Sequence, residues 1–210
     1  EERVRDGASA LFFAICEERG KKTGYVSYRM TRKGDTDMGT LEVVEQVATT
    51  DTAHVSLWRF LLNFDLVGKL AATNRPVDDP LWWLLADPRR LVRKSHDALW
   101  LRLIDIPKAL EARRYNCDGK LKIGLVSDAQ IDIVGTYVLE VSEGRAAVKK
   151  STEKPDVVMT PADLSVIYLG ANSPSVLVGA GRIDPVTSGS CLKLHNMFAT
   201  HSKPWCLHYF

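Results

Sequence analysis

Apolar and polar residues alternate in two runs near the start of the chain, Leu11 to Ile15 and Gly24 to Met30. Between them lies the charged, glycine-bearing stretch Glu17 to Thr23. A period of two puts successive side chains on opposite faces of a strand, so the pair predicts a β-hairpin. Leu41 to Val47 predicts a third strand. Thr49, Thr50 and Asp51 then offer capping oxygens for a helix whose apolar stripe is Val55, Trp58 and Leu62. Two prolines and two aspartates make Arg75 to Pro80 a loop, and Asp87-Pro88-Arg89-Arg90 interrupts regular structure in the same way. Leu99 to Ile104, alternating around Arg102, predicts the last strand of this half.

A second unit is expected from Asp105, where an N-cap side chain, Pro107 in the first turn and the stripe Ile106, Ala109 and Leu110 predict a helix. Leu121 to Val126, Gly135 to Val141 and Arg145 to Lys149 read as an antiparallel meander, with Ser-Asp and Ser-Glu-Gly turns. The period then lengthens. Thr160-Pro161-Ala162-Asp163 opens a helix with Leu164, Ile167 and Tyr168 on one face. Pro174 to Ala180 and Val186 to Phe198 predict two more, the last with Cys191, Leu194 and Phe198 inward. The fold class is therefore α+β, in two domains, 1–104 and 105–210.

Composition narrows the function classes. Across 210 residues, 28 Lys and Arg stand against 26 Asp and Glu, so the net charge of +2 gives no broad field for nucleic acid or an anionic membrane. With 45% hydrophobic and 26% charged residues the chain has ordinary globular usage. No apolar run approaches the roughly 20 residues of a bilayer span, and the polar, acidic start Glu1-Glu2-Arg3-Val4-Arg5-Asp6-Gly7 does not read as a signal peptide. A cytoplasmic location is expected. The four cysteines are dispersed without a C-x-x-C pair, so reduced thiols are the default.

Most chemical motifs are missing. No glycine-rich phosphate turn of the G-x-G-x-x-G or P-loop kind occurs, and Gly179-Ala180-Gly181 follows a helical stretch, which suits a helix end. There is no G-x-S-x-G elbow and no H-E-x-x-H pair. His201, Cys206 and His208 lie close together, but with no fourth ligand in view a packed or solvated tail is preferred and no metal is assigned. Arg89, Arg90, Arg93 and Lys94 beside Trp82 and Trp83 suit a solvated or pairing face better than a nucleic-acid surface.

The end of the chain, Lys203-Pro204-Trp205-Cys206-Leu207-His208-Tyr209-Phe210, is unusually apolar for a terminus. Burying such side chains is worth about 1.5–3 kcal/mol each, so the tail is expected to dock. A pinned Phe210 would hold the terminal carboxylate in a partly dry place, where desolvation raises its proton affinity and suits it to act as a general base. A tail that only fills a surface groove explains the same composition.

Five separated stretches carry a family resemblance: Gly24-Tyr-Val-Ser-Tyr-Arg-Met30, Leu57-Trp-Arg-Phe-Leu61, Asp97-Ala-Leu-Trp-Leu-Arg-Leu103, Pro107-Lys-Ala-Leu-Glu-Ala-Arg-Arg-Tyr115 and Tyr168-Leu-Gly170. Together they resemble the Eis (enhanced intracellular survival) family of N-acetyltransferases, over about half of that family's usual length. The resemblance implies a central domain of acetyltransferase (GNAT) fold followed by a domain like sterol carrier protein 2. It further implies that the N-terminal GNAT domain, which binds acetyl-CoA, lies outside this chain, as does the tyrosine that protonates the leaving thiolate.

By the same resemblance the Phe210 carboxylate is the base that takes a proton from an amine substrate (aminoglycoside, polyamine or lysine type), with Tyr209 and His208 near the substrate. Some relatives have an acidic penultimate residue where this chain has Tyr209, so amine acetylation in general is expected rather than aminoglycoside resistance in particular. A homohexamer is implied for the complete protein. The turn Ala48-Thr49-Thr50-Asp51 has no glycine or arginine and carries an acid where phosphates would sit, so the central domain is expected to lack an acetyl-CoA site and this chain alone to be inactive. A non-catalytic lipid- or sterol-binding module, with a pocket near Leu164, Val176 and Phe198, is the alternative. Those residues are equally what a plain core needs.

Overall fold

A computed structural model describes residues 7–32, 38–128 and 133–206. The chain forms two compact units, one running to Ser95 and taking back the tail from Trp205, the other His96–Pro204.

In the first unit the expected hairpin forms from β1 (Phe12–Glu18) and β2 (Lys21–Thr31). Arg19 and Gly20 turn it with φ of 51° and 76°, the left-handed pair whose twist matches the strands. β3 (Thr40–Ala48) pairs antiparallel with β2, and α1 (Asp51–Leu62) crosses over to β4 (Lys69–Ala72), which lies parallel to β3 over Thr40 to Val43. β4 was not visible in the pattern: four residues ending in two alanines have little β character of their own, and the crossover supplies the pairing.

α1 packs Ala53, Leu57, Trp58 and Leu61 onto the sheet. The expected stripe is therefore displaced: Trp58 is inward, Val55 is only half-buried, and Leu62 at the helix end is exposed. Val26, Tyr28, Leu41 and Val43 complete the core beneath the helix. The short helix α2 (Leu81–Leu84) and a single 3-10 turn at Pro88–Arg90 follow the loop.

No strand forms over Leu99 to Ile104. Leu99, Trp100 and Ile104 are exposed, while the Leu103 N–H donates to Ser165 Oγ at 3.0 Å and Arg102 pairs with Asp128. Side-chain partners have replaced the ladder, and the alternation around Arg102 reflects one buried leucine rather than a sheet face.

In the second unit α3 (Ile106–Ala112) starts as expected, with Asp105 accepting from the Lys108 N–H. β5 (Gly119–Leu125), β6 (Gly135–Ser142) and β7 (Arg145–Ser151) form the meander, extended by β8 (Val157–Met159) parallel to β5 and by β9 (Ile183–Pro185). Three-residue β8 and β9 are too short to show a period. α4 (Pro161–Tyr168), α5 (Pro174–Gly179) and α6 (Ser190–Phe198) follow the expected order, although α6 begins later than Val186 because Gly189, at φ 75°, is its N-cap. Leu164, Ile167, Leu194 and Phe198 are buried in one cluster with Leu121, Ile123 and Leu139. Cys191 is only half-buried. Among the described residues no helix is long and apolar enough to cross a membrane.

Candidate functional site

Two places in the first unit bring polar side chains from distant parts of the sequence together: the turn into α1 and the surroundings of Trp205. At the first, the register between β1 and β2 shifts after Cys16, leaving Thr23 as an extra residue whose side chain is redirected toward β1. Thr23 Oγ1 and Thr50 Oγ1 both donate to Glu18 Oε1, at 2.8 and 2.5 Å. These hydroxyls hold the Glu18 carboxyl below its ordinary proton affinity, so it is anionic at neutral pH.

Thr50 caps α1 by accepting from the Ala53 N–H at 3.1 Å, while the Thr49 N–H and hydroxyl both donate to the Thr23 carbonyl. A helix N-terminus attracts anions because its first amides are unpaired and its dipole is positive. Here Glu18 lies on the cap itself, and Asp51 sits in the first turn. Carboxylates at both positions disfavour a phosphate anion at this helix end.

At the second place, Arg75 is fixed by three acceptors. Nε and Nη2 donate to Asp79 Oδ2 at 3.0 and 2.8 Å, and Nη1 donates to the Gln46 carbonyl of β3 at 3.0 Å. Gln46 lies beyond the stretch of β3 that pairs with β4, so Arg75 supplies a donor that the sheet does not. Burial alone would raise the Asp79 pKa. The contact with His54, the Arg75 fork and the Leu81 amide outweigh it and hold the carboxyl at about 2.

His54 Nε2 is 3.1 Å from the Trp58 indole nitrogen and 3.4 Å from Asp79 Oδ1. An indole can only donate, so this nitrogen accepts there and a neutral ring cannot also donate from it to Asp79. The Arg75 fork and the Leu81 amide therefore do most of the holding.

The cation so fixed lies over two indoles, its Cζ 5.5 Å from the Trp58 ring centre and 5.8 Å from that of Trp205. Trp205 also donates its Nε1–H to the Asn74 carbonyl at 3.0 Å. Of the apolar tail, Trp205 is the residue described, and it makes these contacts while keeping 40% of its surface exposed. Phe210, Tyr209 and His208, the residues expected at the substrate, lie outside the described residues, as does Leu207.

Upstream, the tail is fastened within the second unit. Arg113 and Asn116 donate to the carbonyls of Phe198 and Ala199, and Lys203 Nζ donates to the Gly170 carbonyl at 3.1 Å. Of the residues proposed to line a lipid pocket, Leu164 and Phe198 are core and Val176 faces solvent. No group of three or more potential metal ligands occurs among the described residues, and His208 falls outside them.

Sequence reasoning missed Glu18, Thr23, Arg75 and Asp79. Arg75 and Asp79 stood in a stretch read only as a loop, yet an arginine and an aspartate four apart around prolines are a legible sign of a pinned turn. Nothing local signals Glu18, because its partners are five and 32 residues away.

Comparison with known proteins accounts for both units. Residues 1–103 match an acetyltransferase (GNAT) domain family, and residues 106–207 match a sterol carrier protein domain family. The N-acetyltransferase Eis of Mycobacterium tuberculosis is 35% identical over 181 residues, covering 84% of this chain and 42% of that protein. An uncharacterized N-acetyltransferase of Streptomyces coelicolor is 32% identical over 212 residues, covering the whole chain and 51% of its own length.

Among solved structures, Eis1 from Mycobacterium abscessus superposes with a TM-score of 0.75 at 31% identity, covering 89% of this chain and 48% of that one. A GCN5-related N-acetyltransferase from Anabaena variabilis gives 0.77 at 26% identity, covering 98% and 52%. The chain spans about half the length of the curated relatives it matches. A GNAT domain followed by a sterol-carrier domain, with Eis relatives along most of its length, makes the chain a member of the Eis family of GNAT N-acetyltransferases.

Proposed function

We propose that this chain is the C-terminal part of an acetyl-CoA-dependent amine N-acetyltransferase, and that it contributes the Phe210 carboxylate as general base. The observation that carries the reading is the return of the tail to the GNAT-like unit, where Trp205 is held by Asn74 and Arg75. Five residues beyond Trp205 reach at most about 17 Å, which bounds how far from Trp205 the carboxylate can act. An amine is largely an ammonium ion at neutral pH, and only its free base attacks a carbonyl carbon. A carboxylate within hydrogen-bond reach takes that proton.

Acetyl-CoA belongs elsewhere in this reading. With Glu18 on the cap of α1 and Asp51 beside it, the turn that would cradle phosphates presents like charge, so a further GNAT domain, of the kind the longer relatives have room for, holds the cofactor. The 210-residue chain alone is then a non-binder of acetyl-CoA and inactive toward amines.

Deleting Phe210 from the product of the full coding sequence is expected to lower kcat/KM toward a polyamine or aminoglycoside about 100-fold or more, the usual scale of general-base assistance. Unchanged turnover would remove the base. Calorimetric titration of the 210-residue chain with acetyl-CoA is expected to give no heat, and micromolar binding would overturn the assignment of the cofactor to another domain.

A further inference from the structure

α1 covers one face of the first unit's sheet, and the opposite face carries an apolar surface of its own. Phe13 and Ile15 alternate on β1 with Ala14 and Cys16, which pack into the core beneath the helix. Ile15 stands opposite Tyr25, and Tyr25 opposite Val47, so the three form a row across β1, β2 and β3 with Phe13 beside it. Phe13 is 63% exposed and Ile15 59%. These four side chains line an open groove of about 370 Å³ in which Lys22 supplies the one charge.

The Tyr25 hydroxyl donates to Glu45 Oε2 at 2.5 Å, which leaves the ring as what the row offers a partner. An antiparallel sheet that keeps one face in water normally reads polar there. Here the face reads Phe, Ile, Tyr and Val, the composition of a surface that something covers.

Resting on the reading that a further GNAT domain completes the protein, we propose that the Phe13–Ile15–Tyr25–Val47 face is the seat on which that domain docks, through an apolar surface of its own. The chain spans about half the length of the curated relatives, which leaves room for such a domain. In that reading this chain is the C-terminal part, so the domain joins it ahead of Phe12, where β1 begins, and β1 is the strand that carries Phe13 and Ile15. Covalent attachment through a short connection gives an effective concentration of roughly millimolar, well above that of a second copy in dilute solution. The attached domain therefore takes the face first.

Hydroxyl-radical footprinting read by mass spectrometry tests this without a substitution. Phe13 is expected to be oxidised at least fivefold more slowly in the product of the full coding sequence than in the 210-residue chain, by the same factor at every protein concentration. Phe12, stacked on Tyr28 on the helix side of β1, is the internal reference and is expected to change less than twofold. Equal oxidation of Phe13 in the two proteins overturns the proposal, as does equal protection of Phe12 and Phe13. Protection that fades on dilution assigns the face to a second copy and overturns it as well.

Ile15→Lys sets an ammonium group in the row. In the 210-residue chain it is expected to leave the melting curve little changed, because Ile15 lies outside the core. In the full product it is expected to speed separation of the two parts by thermolysin tenfold or more, and a change under twofold overturns the proposal. The footprint decides even if this variant unfolds the shorter chain. Should the 210-residue chain itself bind acetyl-CoA, the reading of a separate cofactor domain falls, and the footprint still decides whether the face is covered.

Discussion

Arg75 directs two of its nitrogens at a single oxygen of Asp79, at 3.0 and 2.8 Å, in a pair largely closed off from water. Removing one partner of such a pair strands the other charge. The Asp79 carboxyl, held at about 2 against an ordinary 3.8, gains stability for the fold while it is ionised. That contribution is complete above about pH 5 and is lost as pH falls through 2 to about 1. With allowance for partial solvent access, the shift corresponds to about 1–2 kcal/mol. Asp79→Asn is expected to cost that much at pH 7 in urea melts and to converge on the parent protein as pH falls below 2 to about 1. A variant equally destabilised at both values would deny the ion pair its role.

The Glu18–Thr50 contact predicts a substitution pattern at the start of α1. Thr50→Ala removes the cap on the Ala53 N–H and one of the two hydroxyl donors to Glu18, and a lost N-cap costs about 1 kcal/mol. Thr50→Asp is ordinarily a good capping exchange. Here it sets a second carboxylate against Glu18, so it is expected to melt lower than the parent at pH 7 and to recover as pH drops through the carboxylate range. A Thr50→Asp protein as stable as the parent at pH 7 would mean that Glu18 does not sense this turn.

How much of this was legible depends on the reach of each interaction. The hairpin, β3, α1, the meander and the capped start of α4 follow from periodicity and from side chains within four residues, and all were readable. Leu99 to Ile104 misled because alternation around one charge looks the same whether the partner is a strand or, as here, Ser165 and Asp128. β4, β8 and β9 are too short to carry a pattern, and their pairing is decided by crossovers. The contacts of Trp205 were not legible, because Arg75 and its partners come from β3, α1 and a loop that share no local signal. Family resemblance pointed to the chain end; only the fold joins Trp205 to Arg75.

Arg113 predicts a different response from Arg75. Its guanidinium lies 4.8 Å from the Tyr115 ring centre and 4.6 Å from that of Phe198, and it donates to the Phe198 carbonyl at 2.7 Å, at the end of α6. Burial lowers its proton affinity from the usual arginine range and pushes the Tyr115 hydroxyl up to about 12. The cation meets two rings that stand edge to face at 89°, and a guanidinium that also donates to the Phe198 carbonyl is poorly replaced by an ammonium point charge. Arg113→Lys is therefore expected to lose most of the contact, and Arg113→Ala to cost about 2–3 kcal/mol in denaturant titration. Full retention by Arg113→Lys would show that charge at the helix end, and not stacking, is what matters.

At the start of α4 the reciprocal cap predicts non-additivity. Thr160 Oγ1 accepts from the Asp163 N–H at 3.1 Å, and Asp163 Oδ2 accepts from the Thr160 N–H and hydroxyl at 3.2 and 2.6 Å. Each residue orients the other, as in a capping box, and Asp163 is almost completely buried. Thr160→Ala is expected to cost about 1 kcal/mol. Asp163→Ala costs more, because it also removes the anion that stands 2.6 Å from Arg182. Since either change breaks the shared hydroxyl–carboxylate bond, the double variant should fall short of the sum by about 0.5–1 kcal/mol. Strict additivity in a double-mutant cycle followed by urea unfolding would mean that the two side chains act on separate backbone groups and that the reciprocity is geometric only.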